Sequence, residues 1–184
     1  MHREIINFLE QVRKREDLGD QPRYRVVELG SYDLNPATGS ARDVFQPVAR
    51  EYVGVDHRAG PGVDVVSLAH AYAPARPFDV GVCCQVLEHD PYWPLTVIHL
   101  VWLVRSGGVV VVTCAGPGFP KHELDTSPGH DPLAPDPYYR NVSAPEVEQV
   151  LRAAARYVDL DIEVYATSER GTLDTLVWAR VSVP

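Results

Sequence analysis

No run in this 184-residue sequence approaches the roughly 18 consecutive apolar residues that a membrane-crossing helix needs. The opening Met1-His2-Arg3-Glu4 begins a charged amphipathic segment and not a signal peptide, so a cytoplasmic protein without membrane attachment is expected. Cysteine is scarce as well. Cys83 and Cys84 are adjacent in one apolar run and Cys114 ends another, which offers neither a disulfide framework nor a zinc spacing and reads as buried, reduced thiols. Positive charge is the third shortage: 17 Lys and Arg against 25 Asp and Glu leave a formal net charge of -8. That balance argues against a nucleic-acid partner, because binding a phosphate backbone calls for a basic footprint. The one tight basic cluster, Arg13-Lys14-Arg15, belongs to the N-terminal segment. Neither an internal repeat nor a linker divides the chain, and its length suits one domain over residues 1–184.

What is present alternates between strand-like and helix-like stretches. Ile5, Ile6, Phe8, Leu9 and Val12 recur at helical spacing, which predicts an amphipathic helix over residues 3–16. Tyr24 to Leu29 is β-branched and mostly apolar around Arg25 and Glu28, as in a strand buried on both faces of a parallel sheet. Ser40 is a suitable cap for a helix from Ala41 to Arg50. Further strands are expected at 51–56, 63–66, 78–84 and 109–114, with a helix over 91–104 broken by Ser106-Gly107-Gly108. Ser143 and Glu146 form a capping-box pattern before a helix to about Tyr157, and strands at 161–167 and 173–181 close the chain as an antiparallel hairpin. The rhythm predicts an α/β fold, a Rossmann-like, doubly wound, mostly parallel sheet. It is interrupted at 115–142, where six prolines and the histidines His122 and His130 mark a long lid or substrate loop.

Two strands end on acids. Glu28 closes the first and Asp56, 28 residues later, the second, a spacing that suits a ribose diol held by the Asp56 carboxylate. Nicotinamide enzymes use such an acid too. The first turn, however, lacks Gly-x-Gly-x-x-Gly and carries Tyr32 and Leu34, so it lacks the glycines that admit a pyrophosphate, and a cofactor without phosphates fits better.

Val27-Glu28-Leu29-Gly30, Val53-Gly54-Val55-Asp56, Phe78-Asp79-Val80, Val86-Leu87-Glu88-His89 and Arg105-Ser106-Gly107-Gly108 resemble, in order and spacing, the successive motifs of class I S-adenosylmethionine-dependent methyltransferases, and the overall pattern is similar to the type 11 group. The resemblance covers most of the chain. It implies a seven-stranded sheet whose last strand is antiparallel, S-adenosylmethionine as cofactor and S-adenosylhomocysteine as product. It implies that Glu28, Gly30 and Ser31 form the floor beneath the methionyl moiety, with Tyr32 among the cofactor-binding residues, Asp56 on the ribose hydroxyls and His57 beside it. Gln85 then lies near the methionine carboxylate or sulfonium, and Leu87 and His89 line the pocket. Two departures stand out. Ser31-Tyr32-Asp33-Leu34-Asn35 replaces the usual glycine-rich turn, resembling a variant in which a Gly and an Arg follow, for which Gly39 and Arg42 are candidates. Leu68 stands where an acid often meets adenine, leaving Leu68, Ala69 and His70 to recognise the base.

The resemblance implies methyl transfer; the compact chain and its negative charge make a small molecule the expected acceptor, and a monomer or homodimer is expected. The remaining alternatives are a cofactor-binding protein with altered turnover, or a protein or nucleobase acceptor. If the acceptor arrives protonated, His89, His122 and His130 have a suitable pKa to act as base. Each has a plainer role open to it, loop orientation for His89 and solvated polarity for the other two. The aromatic residues Trp93, Phe119, Tyr138 and Tyr139 could wall an acceptor site or simply pack on the sheet. The histidines and acids of the loop match no standard metal spacing, and no metal is expected.

Overall fold

The apolar stripe of the N-terminal segment becomes helix α1, Arg3–Arg15, with Ile5, Phe8, Leu9 and Val12 buried. The computed structural model describes residues 3–34, 36–122, 138–157, 161–167 and 173–182. Along it follow β1 (Tyr24–Leu29), α2 (Ala41–Phe45), β2 (Ala49–Asp56), β3 (Val65–Val66), β4 (Phe78–Cys84), α3 (Trp93–Leu103), β5 (Val104–Ala115), α4 (Ala144–Tyr157), β6 (Asp161–Thr167) and β7 (Asp174–Ser182). These strands form one seven-stranded sheet in the order β3-β2-β1-β4-β5-β7-β6. All neighbouring pairs are parallel except β5 with β7 and β6 with β7, so β7 alone runs against the rest.

Strand periodicity decides which helix each residue meets. Val26, Val80, Val82, Val109, Val111, Leu176 and Trp178 face α1 and α2. Val27, Leu29, Cys83, Val110, Val112, Val177 and Ala179 point the other way, to α3 and α4. This alternation is that of a sheet covered on both faces, and all three cysteines are buried and free. Across the first face, Glu16 ties α1 to β7 by accepting from Trp178 Nε1 at 3.2 Å and pairing with Arg180 at 2.6 Å. At the amino end of the sheet, Arg25 pairs with Glu51 at 2.6 Å and donates to the Arg76 carbonyl at 2.8 Å.

The elements expected from sequence are present, with three corrections. The helix after Ser40 stops at Phe45 and passes into a short 3-10 turn over Gln46–Val48, so β2 begins at Ala49. Pro47 is the cause: it has no N–H to bond the Asp43 carbonyl, and its ring crowds that turn. Ser40 does cap this helix, in a capping box with Asp43. The helix expected to start at Pro91 starts at Trp93, because the Asp90 carboxylate captures the Tyr92 N–H at 2.7 Å and the Thr96 hydroxyl at 2.6 Å. Ser106-Gly107-Gly108 does not separate α3 from β5. The strand starts directly at Val104, and the glycines lie within an irregular step in which Phe78 pairs with Val104 and Val80 with Val109. Gly107 has φ +77°, and a Cβ on Gly108 would stand 2.4 Å from Val104 Cγ1.

The chain turns from β1 outward through β2 and β3, then returns to β4 on the other side of β1. The carboxyl ends of β1 and β4 thus flank the point where strand order reverses, which is where open α/β sheets form a crevice. Gly30 has φ +82° there, and a Cβ on it would lie 2.0 Å from Val86 Cγ2. Gly30→Ala is therefore expected to combine left-handed strain of about 1–2 kcal/mol with overpacking of about 1–3 kcal/mol. Gly39→Ala is the control, since Gly39 has φ +81° but nothing nearer than 3.7 Å to its missing Cβ. Urea unfolding should show the larger loss at Gly30; equal losses would mean that Val86 yields freely.

Candidate functional site

The turn after β1 is closed by the loop after β2. Gly30 and Ser31 donate their N–H groups to the Val55 carbonyl at 2.8 and 3.1 Å, and Asp33 donates to the Pro61 carbonyl at 2.9 Å. Asp64 returns to β2, its carboxylate accepting from the Gly54 N–H at 2.7 Å and pairing with Arg42. Arg42 also donates to the Gly62 carbonyl at 3.0 Å and lies over the Tyr52 ring, 4.4 Å from its centroid. Gly54 is a necessity of this packing, because its Cβ would meet the Gly62 carbonyl oxygen at 2.2 Å. The turn that lacks a glycine fingerprint is thus held by Gly54, Gly62 and Arg42. Tyr32 lies against Gly60 and under the Arg58 guanidinium, 4.6 Å from the ring centroid, while Leu34 is exposed.

Asp56 stands at the carboxyl end of β2, 8% exposed. Its oxygens accept from the Tyr32 N–H at 3.2 Å and the Arg58 N–H at 3.0 Å, and His57 Nδ1 lies 3.2 Å away. A carboxylate oriented by two backbone donors keeps lone pairs for further donors. Glu28 does not stand level with it. Glu28 pairs with Gly54 in the sheet, two residues short of Asp56, about 6–7 Å down the strand. It is buried and accepts from the Tyr52 hydroxyl at 2.7 Å. Burial pushes its carboxyl up to about 7, against the pull of the Tyr52 hydroxyl and the Arg42 charge.

A second group gathers beyond β4. Gln85 takes φ +57°, a strained conformation for a non-glycine residue, and its amide lies 3.4 Å from Thr113 Oγ1 and 3.5 Å from Asp174 Oδ1. Leu87 is fully enclosed in the core, which makes it packing and not the wall of an open pocket. Glu88 is likewise fully buried, and one carboxylate oxygen accepts from the Ala115 N–H at 3.2 Å. Burial pushes this carboxyl to about 7. His89 Nε2 lies 3.3 Å from His122 Nε2, and burial, with His122 beside it, lowers the His89 pKa to about 4.

Both limbs of the proline-rich segment close over this group. Arg140 donates its N–H to the Glu88 carbonyl and Val142 to the Ala115 carbonyl, at 2.9 and 3.0 Å. Asn141 Nδ2 bonds the Phe119 carbonyl at 2.8 Å. Tyr139 and Phe119 consequently pack their rings against the imidazoles, Tyr139 at 5.3 Å from His89 and 5.1 Å from His122, Phe119 at 5.5 Å from His122. Of the candidate bases, His89 and His122 thus meet; His130 lies outside the described residues. His70 is elsewhere on the edge, in the turn Ala69–Ala71 behind the half-exposed Leu68, with its ring 5.4 Å from Tyr92. Sequence reasoning singles out neither Tyr52, the partner of Glu28, nor Glu88, which meets the two imidazoles. Tyr52 reads as a sheet aromatic, whereas Glu88 had one usable signal, an acid directly beside His89.

Glu28 makes a pH signature. A carboxyl whose folded pKa lies near 7, above its ordinary 4.5, supports the fold when protonated; that contribution is whole below 4.5 and is lost as pH rises toward 7. Glu28→Gln stays neutral and keeps an acceptor for Tyr52. The melting temperature of Glu28→Gln relative to the parent should rise as pH goes from about 4.5 to 7; a constant difference would place the Glu28 carboxyl at its ordinary pKa.

No family model and no curated protein matches this sequence. Solved structures do. The chain is similar to 1,6-didemethyltoxoflavin-N1-methyltransferase of Burkholderia thailandensis, solved with 1,6-didemethyltoxoflavin and S-adenosylhomocysteine, at 15% identity over 97% of this chain and 77% of that one, TM-score 0.62. It is similar to the N-methyltransferase NodS of Bradyrhizobium japonicum at 14% identity, over 99% and 98% of the two chains, TM-score 0.59. The [4+2]-cyclase SpnF aligns equally well, at 16% identity over 97% and 82%, TM-score 0.62. The sheet order with its reversed β7, set beside these neighbours, shows that the chain has the fold of the class I S-adenosylmethionine-dependent methyltransferases.

Proposed function

We propose that this protein is an S-adenosylmethionine-dependent methyltransferase acting on a small-molecule acceptor. The observation that carries the reading is the Asp56 carboxylate, oriented by two backbone donors at the carboxyl end of β2, beside the crevice where strand order reverses. Neighbours of the same fold have been solved with S-adenosylhomocysteine or S-adenosylmethionine.

The residues present fit that cofactor. Asp56 retains lone pairs for the two ribose hydroxyls, with His57 alongside. Gly30 brings the first turn close to Val86 without a side chain, leaving backbone and Ser31 to face the methionyl end. Gln85, just past β4 with φ +57°, would offer its amide to the methionine carboxylate, and Ala69 and His70, in the turn after β3, would receive the base. The cofactor supplies an electrophilic methyl group, so positioning and water exclusion are the main demands on the protein. Phe119, Tyr139, His89 and His122 provide an aromatic, partly buried wall for an acceptor. With its pKa near 4, His89 is a neutral imidazole at physiological pH and adds no charge to that wall.

A second reading is a cofactor-binding protein whose reaction is not methyl transfer. It is favoured by the equally good alignment with a [4+2]-cyclase, because a shared fold does not fix the chemistry. Calorimetry separates these readings from a wrong one. S-adenosylhomocysteine should bind, and Asp56→Asn should weaken it by about 10–100-fold, the equivalent of roughly 1.5–3 kcal/mol of charge-assisted hydrogen bonding. Absence of binding by either form of the cofactor at millimolar concentration would end both readings. Binding without methyl transfer to any member of a broad acceptor panel would select the second.

A further inference from the structure

Glu88, His89 and His122 come from two segments far apart in sequence, yet one carboxylate oxygen and one ring nitrogen from each histidine all lie within 4.8 Å of one another. The two Nε2 atoms are 3.3 Å apart. Two nitrogens bound to the same tetrahedral zinc at about 2.0–2.1 Å stand roughly that far from each other. Glu88 adds a fully buried carboxylate, and its Oε2 has no hydrogen-bond partner among the described residues. A buried, unpartnered carboxylate oxygen is costly unless a proton or a cation meets it.

The surroundings favour a cation. His122 Nδ1 lies 3.3 Å from the Pro120 carbonyl, so an Nδ1–H donated there leaves the Nε2 lone pair directed at His89. A carbonyl on the far nitrogen is the usual backing of a metal-bound histidine, since it fixes the tautomer. Tyr139, whose hydroxyl is 3.3 Å from the same Nδ1, and Phe119 pack against the imidazoles and hold their planes. The Arg140 N–H on the Glu88 carbonyl and the Asn141 amide on the Phe119 carbonyl join the limbs that carry these groups, so the cluster is built before any ligand arrives.

We propose that Glu88, His89 and His122 form a binding site for one divalent cation of the zinc class. Two imidazoles and one carboxylate suit zinc and neighbouring transition metals better than magnesium or calcium, which prefer oxygen ligands throughout. A small shift of the Glu88 side chain completes the third position. Three protein ligands leave a fourth position open, as in catalytic zinc sites, for water or a donor atom of a bound molecule.

Protein stripped with EDTA and titrated with zinc against a chromogenic chelator should take up one equivalent per chain, and cobalt(II) in its place should give the intense visible bands of a tetrahedral centre. His122→Ala removes an exposed side chain and should leave the melting temperature of the stripped protein unchanged while weakening zinc by about tenfold or more. Glu88→Gln should weaken it as well. Failure to bind zinc, or equal affinity in His122→Ala and the parent, would overturn the site. S-adenosylhomocysteine calorimetry on the same stripped protein keeps the two questions apart: cofactor binding without a zinc site overturns the cation proposal and leaves the methyl-transfer reading standing.

Discussion

The carboxyl edge of the sheet depends on how closely backbone segments approach one another there. Gly30 lets Val86 lie where a side chain would otherwise project, and Gly54 lets the Gly62 carbonyl close onto β2. The first contact joins the ends of β1 and β4, neighbours in the sheet, and the second folds the loop after β2 back onto its own strand. The positions of Asp56, Gln85 and the Glu88-His89 pair follow from them, because Asp56 ends the strand that carries Gly54 and the others share the loop that carries Val86. Rigid strands carrying short, pinned loops are a sound basis for a site that works mainly by positioning.

Electrostatically, the site is built on acids with few cations near them. Glu28 and Glu88 are both buried and both pushed to about 7, but their surroundings differ. Glu28 has a hydroxyl partner in Tyr52 and the Arg42 charge beyond it, so the carboxyl is structurally answered. Among the described residues, Glu88 is answered on one oxygen only, next to two imidazoles. The first arrangement braces the turn after β1. The second has the character of a site, since polar groups left incomplete in an otherwise well-packed region are where binding energy is available.

The neighbours set the boundary of what architecture can say. N-methyltransferases and a [4+2]-cyclase share this sheet at comparable similarity, so the identity of the reaction lies with the side chains over the edge. Over His89 in this chain stand His122 and Tyr139, with Phe119 against His122, in segments held by backbone bonds from Arg140 and Val142.

By itself the sequence determined the strand-and-helix order, the two-faced burial of β1 and the closing hairpin, because apolar periodicity and turn residues act locally. β1, β4 and β6 begin and end where local pattern places them, and Ser40 caps its helix as its side chain requires. Boundaries failed where a nonlocal partner or a single proline intervened, as at Pro47, at Asp90 and in the bulged start of β5. Asp56 could be placed at the carboxyl edge of the sheet because a strand end fixes where its side chain emerges. Tertiary structure alone decided that Glu28 turns to Tyr52 instead of the open edge, that Leu87 belongs to the core, and that His122 meets His89 and Glu88. The reason is physical: no local propensity encodes a contact between residues 33 positions apart, which exists only once β4 and β5 lie side by side and the chain beyond them folds back.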